Sequence, residues 1–238
     1  MKAMLLAAGL GTRLKPLTDH RPKALVEVGG MTLLERAVRL LQRHGVEEAV
    51  VNVHHFAGQI EAFLEEKGYF GMRIAISDER SKLLDTGGGL KKAAWFFDDG
   101  APFLVYNTDI LTDLDLGALY RAHLDSGCLA SLAVRRRPAN RCFLFDKQKK
   151  LAGWRNRKTG QTRWCGEAVE PVEELAFSGI QILDPAIFRY FPEEEAFSLV
   201  ELYLRAGAYA PLCAYPHDDS AWIDAGKLED LEEAERMF

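Results

Sequence analysis

Met4-Leu5-Leu6-Ala7-Ala8-Gly9-Leu10-Gly11-Thr12-Arg13-Leu14-Lys15-Pro16-Leu17-Thr18, with Pro22-Lys23 shortly after, decides how this chain folds. An unbroken apolar run that stops at glycines reads as a buried strand feeding a tight turn. Two glycines directly after such a strand let backbone N–H groups approach an anion closely, because no Cβ intervenes. Arg13 and Lys23 add fixed positive charge to the same mouth, while Pro16 and Pro22 restrict the loop and its preceding residues. The chemistry this implies is phosphate binding. The spacing is neither that of a P-loop nor that of the dinucleotide fingerprint, since Leu14 stands where a third glycine belongs.

Working outward, short apolar runs alternate with amphipathic helical patterns as far as residue 134, the mark of a parallel sheet covered by helices. Thr32 and Glu35 form a capping-box pair ahead of Leu34, Ala37, Val38 and Leu41 at helical spacing, and Gly45 is placed to stop that helix. Strands are expected at 49–53, 72–76, 103–106 and 128–134, and helices at 59–67, 90–96 and 116–126. Beyond residue 135 the pattern turns β-rich. A hairpin is expected around 147–150, strands at 176–183 and 211–215, and a closing helix at 227–237. No linker, low-complexity tract or internal repeat interrupts the chain. The expected fold is therefore α/β: a Rossmann-like mixed, mostly parallel sheet flanked by helices, with a small β-rich part. Residues 1–238 are read as a single domain, with 1–134 as the part that carries the phosphate-binding loop and 135–238 as the β-rich part and closing helix.

Composition narrows the function classes. The 30 basic and 35 acidic residues give a net charge of −5, which argues against a nucleic-acid binder. No apolar run is long enough for a membrane span, and the first ten residues lack a cleavage site after an adequate apolar core. Cys128, Cys142, Cys165 and Cys213 lie far apart with no C-x-x-C pair, so reduced thiols in a cytoplasmic protein are expected. Monomer and homodimer both stay open. His54 and His55 are adjacent and point different ways, which makes them a poor metal pair.

With the loop and its Pro22-Lys23 sequel in view, the sequence resembles the sugar-1-phosphate nucleotidyltransferases. The resemblance rests on L-x-A-x-G-x-G-x-R-x-x-P-L-T, here from Leu5 to Thr18. It implies a nucleoside triphosphate and a sugar 1-phosphate as partners and Mg²⁺ as cofactor. It also implies that Leu6, Ala7, Ala8, Gly9, Gly11 and Thr12 wrap the nucleotide, and that Arg13 and Lys23 act on its phosphates. Asp85-Thr86-Gly87-Gly88-Gly89 resembles the family's second glycine loop, which reads the base through backbone groups. Asn107-Thr108-Asp109 closes a buried strand, and a carboxylate at that end faces the ligand crevice of an α/β sheet. The resemblance makes Asp109 a metal ligand and Asn107 part of the sugar site. Trp222-Ile223-Asp224-Ala225-Gly226 resembles the segment that carries the second metal-binding aspartate, although Asp224 alone would read as a helix cap. Two carboxylates distant in sequence suit Mg²⁺, which keeps few protein ligands beside waters and phosphates.

Phe177-Ser178-Gly179-Ile180 resembles the family's sugar-binding strand, which assigns Ser178 and Gly179 to the sugar. One element is missing: many relatives carry Glu-Lys-Pro ahead of that strand, whereas this chain has Glu170-Pro171-Val172-Glu173-Glu174. Another cation must meet the sugar phosphate, with Arg141 and Arg155 as candidates. Asn156 joins Arg141 in a segment, 135–163, that reads either as a wall of the sugar site or as a solvated hairpin. The nucleotide and sugar partners stay open between uridine, guanosine and cytidine triphosphates with different phosphorylated acceptors. A non-catalytic nucleotide-sugar-binding regulator on the same fold is the rival of another class.

Overall fold

A computed structural model describes all residues from Met1 to Phe238. Fourteen strands and six α-helices follow one another. The first part holds β1 (Lys2–Leu6), β2 (Glu27–Val28), β3 (Met31–Thr32), α1 (Leu33–Arg43), β4 (Glu48–Val53), α2 (Ala57–Glu66), β5 (Arg73–Asp78), α3 (Asp85–Ala93), β6 (Phe103–Asn107), β7 (Ile110–Thr112), α4 (Leu116–Ser126) and β8 (Ala130–Arg135). The second part holds β9 (Arg141–Phe145), β10 (Leu151–Asn156), β11 (Thr162–Trp164), β12 (Glu173–Leu183), α5 (Leu199–Gly207), β13 (Leu212–Pro216), β14 (Trp222–Asp224) and α6 (Leu228–Met237).

The main sheet runs β11-β10-β9-β12-β6-β1-β4-β5, with β8 along the other edge of β12 and β13 outside β8. β6, β1, β4 and β5 are parallel, which is the Rossmann-like half. The eleven residues of β12 join the two halves, pairing antiparallel with β9 through Glu173–Leu175 and with β6 through Ile180–Leu183. The apolar runs are continuous because helices cover both faces of the sheet. Ala3 and Leu5 of β1 enter one core with Val51, Leu104 and the apolar faces of α1, α2 and α4. Met4 points the other way, into a second core with Val50, Phe103, Val105 and the α3 and α5 side chains. Each fully buried Leu, Val or Phe contributes about 1.5–3 kcal/mol over an exposed one, so both faces matter. A third, smaller core joins Leu14, Val28, Leu33 and Leu111 to Ile223, Ala225 and Ala234, tying the first loop to β14 and α6.

Thr32 caps α1, with Glu35 N–H donating to Thr32 Oγ1 at 3.1 Å, but the Glu35 carboxylate pairs with Arg39 and Lys67 and does not return to Thr32, so the box is only half formed. Two expectations are corrected. Residues Asp85–Gly89 are not a loop but the opening turns of α3. Their glycines are packing glycines: a Cβ at Gly87 would lie 2.5 Å from the Phe197 ring, and one at Gly88 would collide with the Glu195 carbonyl oxygen. A chain that approaches this closely excludes side chains, which outweighs the helix cost of glycine, about 1 kcal/mol per residue. Nor are all four thiols free. β8 and β13 run parallel, which brings Cys128 and Cys213 to a Cα separation of 6.1 Å, and they form a disulfide. Cys142 and Cys165 remain thiols. No helix is long and apolar enough to cross a membrane.

The irregular stretch of β12 at Ser178 and Gly179 is held by a side-chain clamp. His217, just after β13, meets Ser178 Oγ through Nε2 at 2.7 Å, and both residues are buried. Burial, with Arg135 close by, brings the His217 pKa down from 6.5 to about 4. The folded protein therefore keeps this imidazole neutral where the unfolded chain would protonate it. Its contribution is complete above about pH 6.5 and is lost as the pH falls towards 4, at up to roughly 1.4 kcal/mol per pH unit. Urea denaturation at pH 7.5, 6, 5 and 4.5 should show His217→Gln losing less stability on acidification than the wild type. Parallel pH curves for the two proteins would contradict this account of the clamp.

Candidate active site

The carboxyl ends of the parallel strands assemble the site. The register sets Leu6 of β1 beside Asn52 of β4 on one side and beside Asn107 of β6 on the other. Asn52 is buried, and its Oδ1 accepts from Ala7 N–H at 2.7 Å and Ala8 N–H at 3.3 Å, fixing the start of the glycine loop. Its Nδ2 donates to Glu79 Oε1 at 2.7 Å, and Glu79 Oε2 accepts from Leu84 N–H at 3.2 Å. Burial pushes the Glu79 carboxyl above the ordinary range. This network joins the loop to the start of α3. Neither residue belongs to a motif in the sequence, and the one signal available was a lone Asn inside the apolar run Ala49-Val50-Val51-Asn52-Val53.

Two cavities open here. The smaller, about 370 Å³, is lined by Leu6, Ala7, Ala8, Gly9, Lys23, Asn52, Asp85, Thr86, Asn107 and Asp109. It unites most of the residues that the sequence assigned to the nucleotide, together with Asn107, which the resemblance had placed with the sugar. Gly87 and Gly88 do not reach it and serve packing in α3. Gly11 shapes the loop from behind: its φ is +66°, and a Cβ there would lie 2.9 Å from Thr18 and 3.0 Å from Lys23. Thr12 and Arg13 form the short 3₁₀ turn that follows.

The larger cavity, about 1050 Å³, is lined by Arg13, Arg137, Arg141, Trp154, Asn156 and Asp224 among others. The arginine-rich hairpin segment is thus a cavity wall rather than only a solvated hairpin. Arg155 does not line it and pairs instead with Glu174. Ser178 is corrected: its hydroxyl is fully buried and engaged by His217, so it does not face the cavity. Gly179 has a φ of +75°, and a Cβ there would lie 2.9 Å from Asn107 Nδ2. Only glycine lets β12 pass this close to the end of β6.

The charged groups converge between the cavities. Lys23 forms an ion pair with Asp109, both side chains being largely covered. A Cβ placed on Gly226 would lie 2.6 Å from Asp224 Oδ1, 2.7 Å from Lys23 Nζ and 2.9 Å from Arg13 Nη2. Asp224 is not the cap of α6, whose first turn follows Lys227 without a side-chain cap. Its Oδ1 accepts from Gly226 N–H at 2.9 Å. Burial first, and the Asp109 charge second, push its carboxyl above the ordinary range, with Lys23 and Arg13 opposing. Asp109 and Asp224, two carboxylates close enough to repel each other, are the kind of sparse oxygen donor set that Mg²⁺ takes.

Residues 2–143 match the nucleotidyl transferase family. The N-acetylmuramate alpha-1-phosphate uridylyltransferase of Caulobacter vibrioides is 34% identical over 232 residues, 94% of this chain and 91% of that protein. The mannose-1-phosphate guanyltransferase of Neurospora crassa is 38% identical over 192 residues, which cover 79% of this chain and 50% of that protein. The inositol-1-phosphate CTP transferase of T. maritima superposes with a TM-score of 0.77 at 15% identity, over 99% of this chain and 94% of that one, a likeness of fold. The chain belongs to the nucleotidyl transferase family, and its class is that of the sugar-1-phosphate nucleotidyltransferases.

If Asp224 is kept ionised against Asp109 for function, it costs stability in the metal-free protein. Asp224→Asn keeps an acceptor for Gly226 N–H while removing the repulsion. Its melting temperature in chelator should rise by about 2–4 °C, the equivalent of roughly 1 kcal/mol at this size. A lowered melting temperature would identify Asp224 as a structural group instead.

Proposed function

We propose that the protein transfers a uridylyl group from UTP to N-acetylmuramic acid 1-phosphate, giving a nucleotide sugar and pyrophosphate, as a step in peptidoglycan recycling. The observation that carries the reaction type is the convergence of Arg13, Lys23 and Asp224 on Gly226, with Asp109 paired to Lys23. The acceptor is supported by the relative from Caulobacter vibrioides, aligned over nearly the whole of both chains. It is supported independently by charge. Arg13, Arg135, Arg136, Arg137, Arg141, Lys158 and Lys227 line the larger cavity against Asp224, Asp230 and Glu233, in a chain whose overall charge is negative. An acceptor with a lactyl carboxylate in addition to its phosphate matches such a wall better than a neutral hexose phosphate does.

A phosphate oxygen of the acceptor attacks the α-phosphorus in line. The new P–O bond forms as the bond from the α-phosphorus to the bridging oxygen breaks, and pyrophosphate leaves with that electron pair. A phosphate dianion is already a competent nucleophile, so catalysis reduces to positioning and charge neutralisation. Loop N–H groups from Gly9 to Thr12 and the Arg13 guanidinium hold the β- and γ-phosphates. Lys23, released from Asp109, lies between the nucleophile and the α-phosphate. Asp109 and Asp224 would hold Mg²⁺, which supplies charge neutralisation at the α-phosphate oxygens. Asp85 and Thr86, at the start of α3, offer backbone groups to the base edge.

Pyrophosphate release should be fastest with UTP and N-acetylmuramic acid 1-phosphate in a grid of UTP, GTP, CTP and dTTP against N-acetylmuramic acid, N-acetylglucosamine, mannose and glucose 1-phosphates. Lys23→Ala and Asp109→Ala should each lower turnover by about 10²–10³ while unfolding at wild-type denaturant concentrations within about 1 kcal/mol. Preference for GTP with mannose 1-phosphate would overturn the substrate and keep the mechanism. Nucleotide binding without turnover across the grid would favour the regulator.

A further inference from the structure

Three consecutive arginines, Arg135, Arg136 and Arg137, run along the wall of the larger cavity, and they are not equivalent. Arg135 is committed to backbone, donating through Nη1 to Ser220 O at 2.7 Å and through Nη2 to Asp218 O at 3.0 Å. Arg136 is committed to carboxylates, Asp218 and Glu173, each at 2.7 Å. Arg137 has neither arrangement. Its guanidinium makes one hydrogen bond, Nη2 to Phe177 O at 3.1 Å, and its Nε is buried without an acceptor. The group sits over Trp222, with the guanidinium carbon 4.4 Å from the ring centroid. Trp222 is itself fixed, its Nε1–H donating to Ser178 O at 3.0 Å. Burial lowers the Arg137 pKa, and the facing charges are Asp224, which opposes that shift, and Arg135, which adds to it.

A guanidinium has five N–H donors in a rigid fork, and a largely covered one with a single bond is expensive unless something supplies counter-charge. Asp224 faces this group, but no carboxylate of the chain pairs with it directly. The tryptophan platform holds the fork in place while leaving its edge free, two residues from Asp224 in sequence. Taking the proposed transferase reaction as the frame, we propose that Arg137, oriented by Trp222, is the residue that binds the anionic oxygens of the acceptor sugar phosphate. A fork of this geometry suits either a phosphate or a carboxylate, in each case through two parallel N–H···O bonds. Arg137 thus fills the place left by the lysine that is absent between Glu170 and Glu174.

The experiment compares wild type, Arg137→Met and Arg137→Lys in pyrophosphate release, with KM measured separately for UTP and for two acceptors. N-acetylmuramic acid 1-phosphate and N-acetylglucosamine 1-phosphate differ by the 3-O-lactyl ether group, which carries the carboxylate. Arg137→Met should raise the acceptor KM by about 10- to 100-fold, the effect of losing hydrogen bonds to a charged group. The KM for UTP should stay within about twofold, and Arg137→Lys should fall between, since it keeps the charge and loses the fork. An equal rise for both acceptors assigns the phosphate to Arg137, and a rise for the lactyl-bearing one alone assigns the carboxylate. Unchanged KM for both acceptors, or an equal rise for UTP, overturns the inference. Calorimetric titration of each acceptor into the three proteins separates this inference from the transferase reading. Acceptor binding that depends on Arg137 in a protein that releases no pyrophosphate keeps the anchor and rejects the reaction. Binding that is indifferent to Arg137, or absent in the wild type, rejects the anchor.

Discussion

Everything at the site depends on the Asn52 side-chain amide. At the end of a parallel strand it faces the first residues beyond β1, whose N–H groups have no partner from the sheet ladder. By accepting from Ala7 and Ala8 and donating to Glu79, it satisfies two backbone donors and orients a buried carboxylate that receives Leu84 N–H. Such a fully connected polar network stabilises one arrangement strongly, because any broken member leaves a buried group unpaired. The glycine loop and the start of α3 are thereby held on opposite sides of one cleft. Gly89 belongs to the same device: a Cβ there would lie 2.7 Å from Glu79 Oε1 and 2.8 Å from Asn52 Nδ2.

The second half of the chain completes this cleft through apolar packing. Ile223 and Ala225 are buried in the small core that also contains Leu14, and the residue between them, Asp224, is turned to the opposite side, towards Arg13 and Lys23. The same core therefore sets the distance between the two loops that carry the charged groups. β12 adds the remaining constraint. Its bulge at Ser178 and Gly179 is fixed by His217 and Trp222, and it brings the cavity wall up to the end of β6.

The strands of the parallel half were legible because each is an apolar run buried on both faces, and α1 because Thr32 and Glu35 mark its start. Leu6 to Gly9, with Arg13, Lys23, Asp109 and Asp224, were legible through motif resemblance, and these residues line the two cavities. What local pattern did not carry was long-range packing. Gly87 and Gly88 look like a flexible loop until Phe197 and Glu195, over a hundred residues away, are seen to require their missing side chains. Ser178, assigned to the sugar by resemblance alone, turns its hydroxyl to His217, 39 positions further along the chain. The Cys128–Cys213 pair, whose partners are 85 positions apart in sequence, follows only from the parallel pairing of β8 with β13. Two-residue strands such as β2 and β3, the three-residue strands β7, β11 and β14, and the helix α5 likewise take their place from tertiary contacts.

The proposed transfer requires Asp224, Lys23 and Arg13 to meet over Gly226, as they do in the structure. Turnover by Gly226→Ala tests it most directly, because Gly226 does not adopt the left-handed backbone that would strain an alanine. The added methyl group would occupy only the space between Asp224, Lys23 and Arg13. The account requires kcat to fall by about 10²-fold or more, the effect of ångström-scale misplacement, with the denaturation midpoint nearly unchanged. A folded Gly226→Ala protein that turns over at the wild-type rate would contradict it.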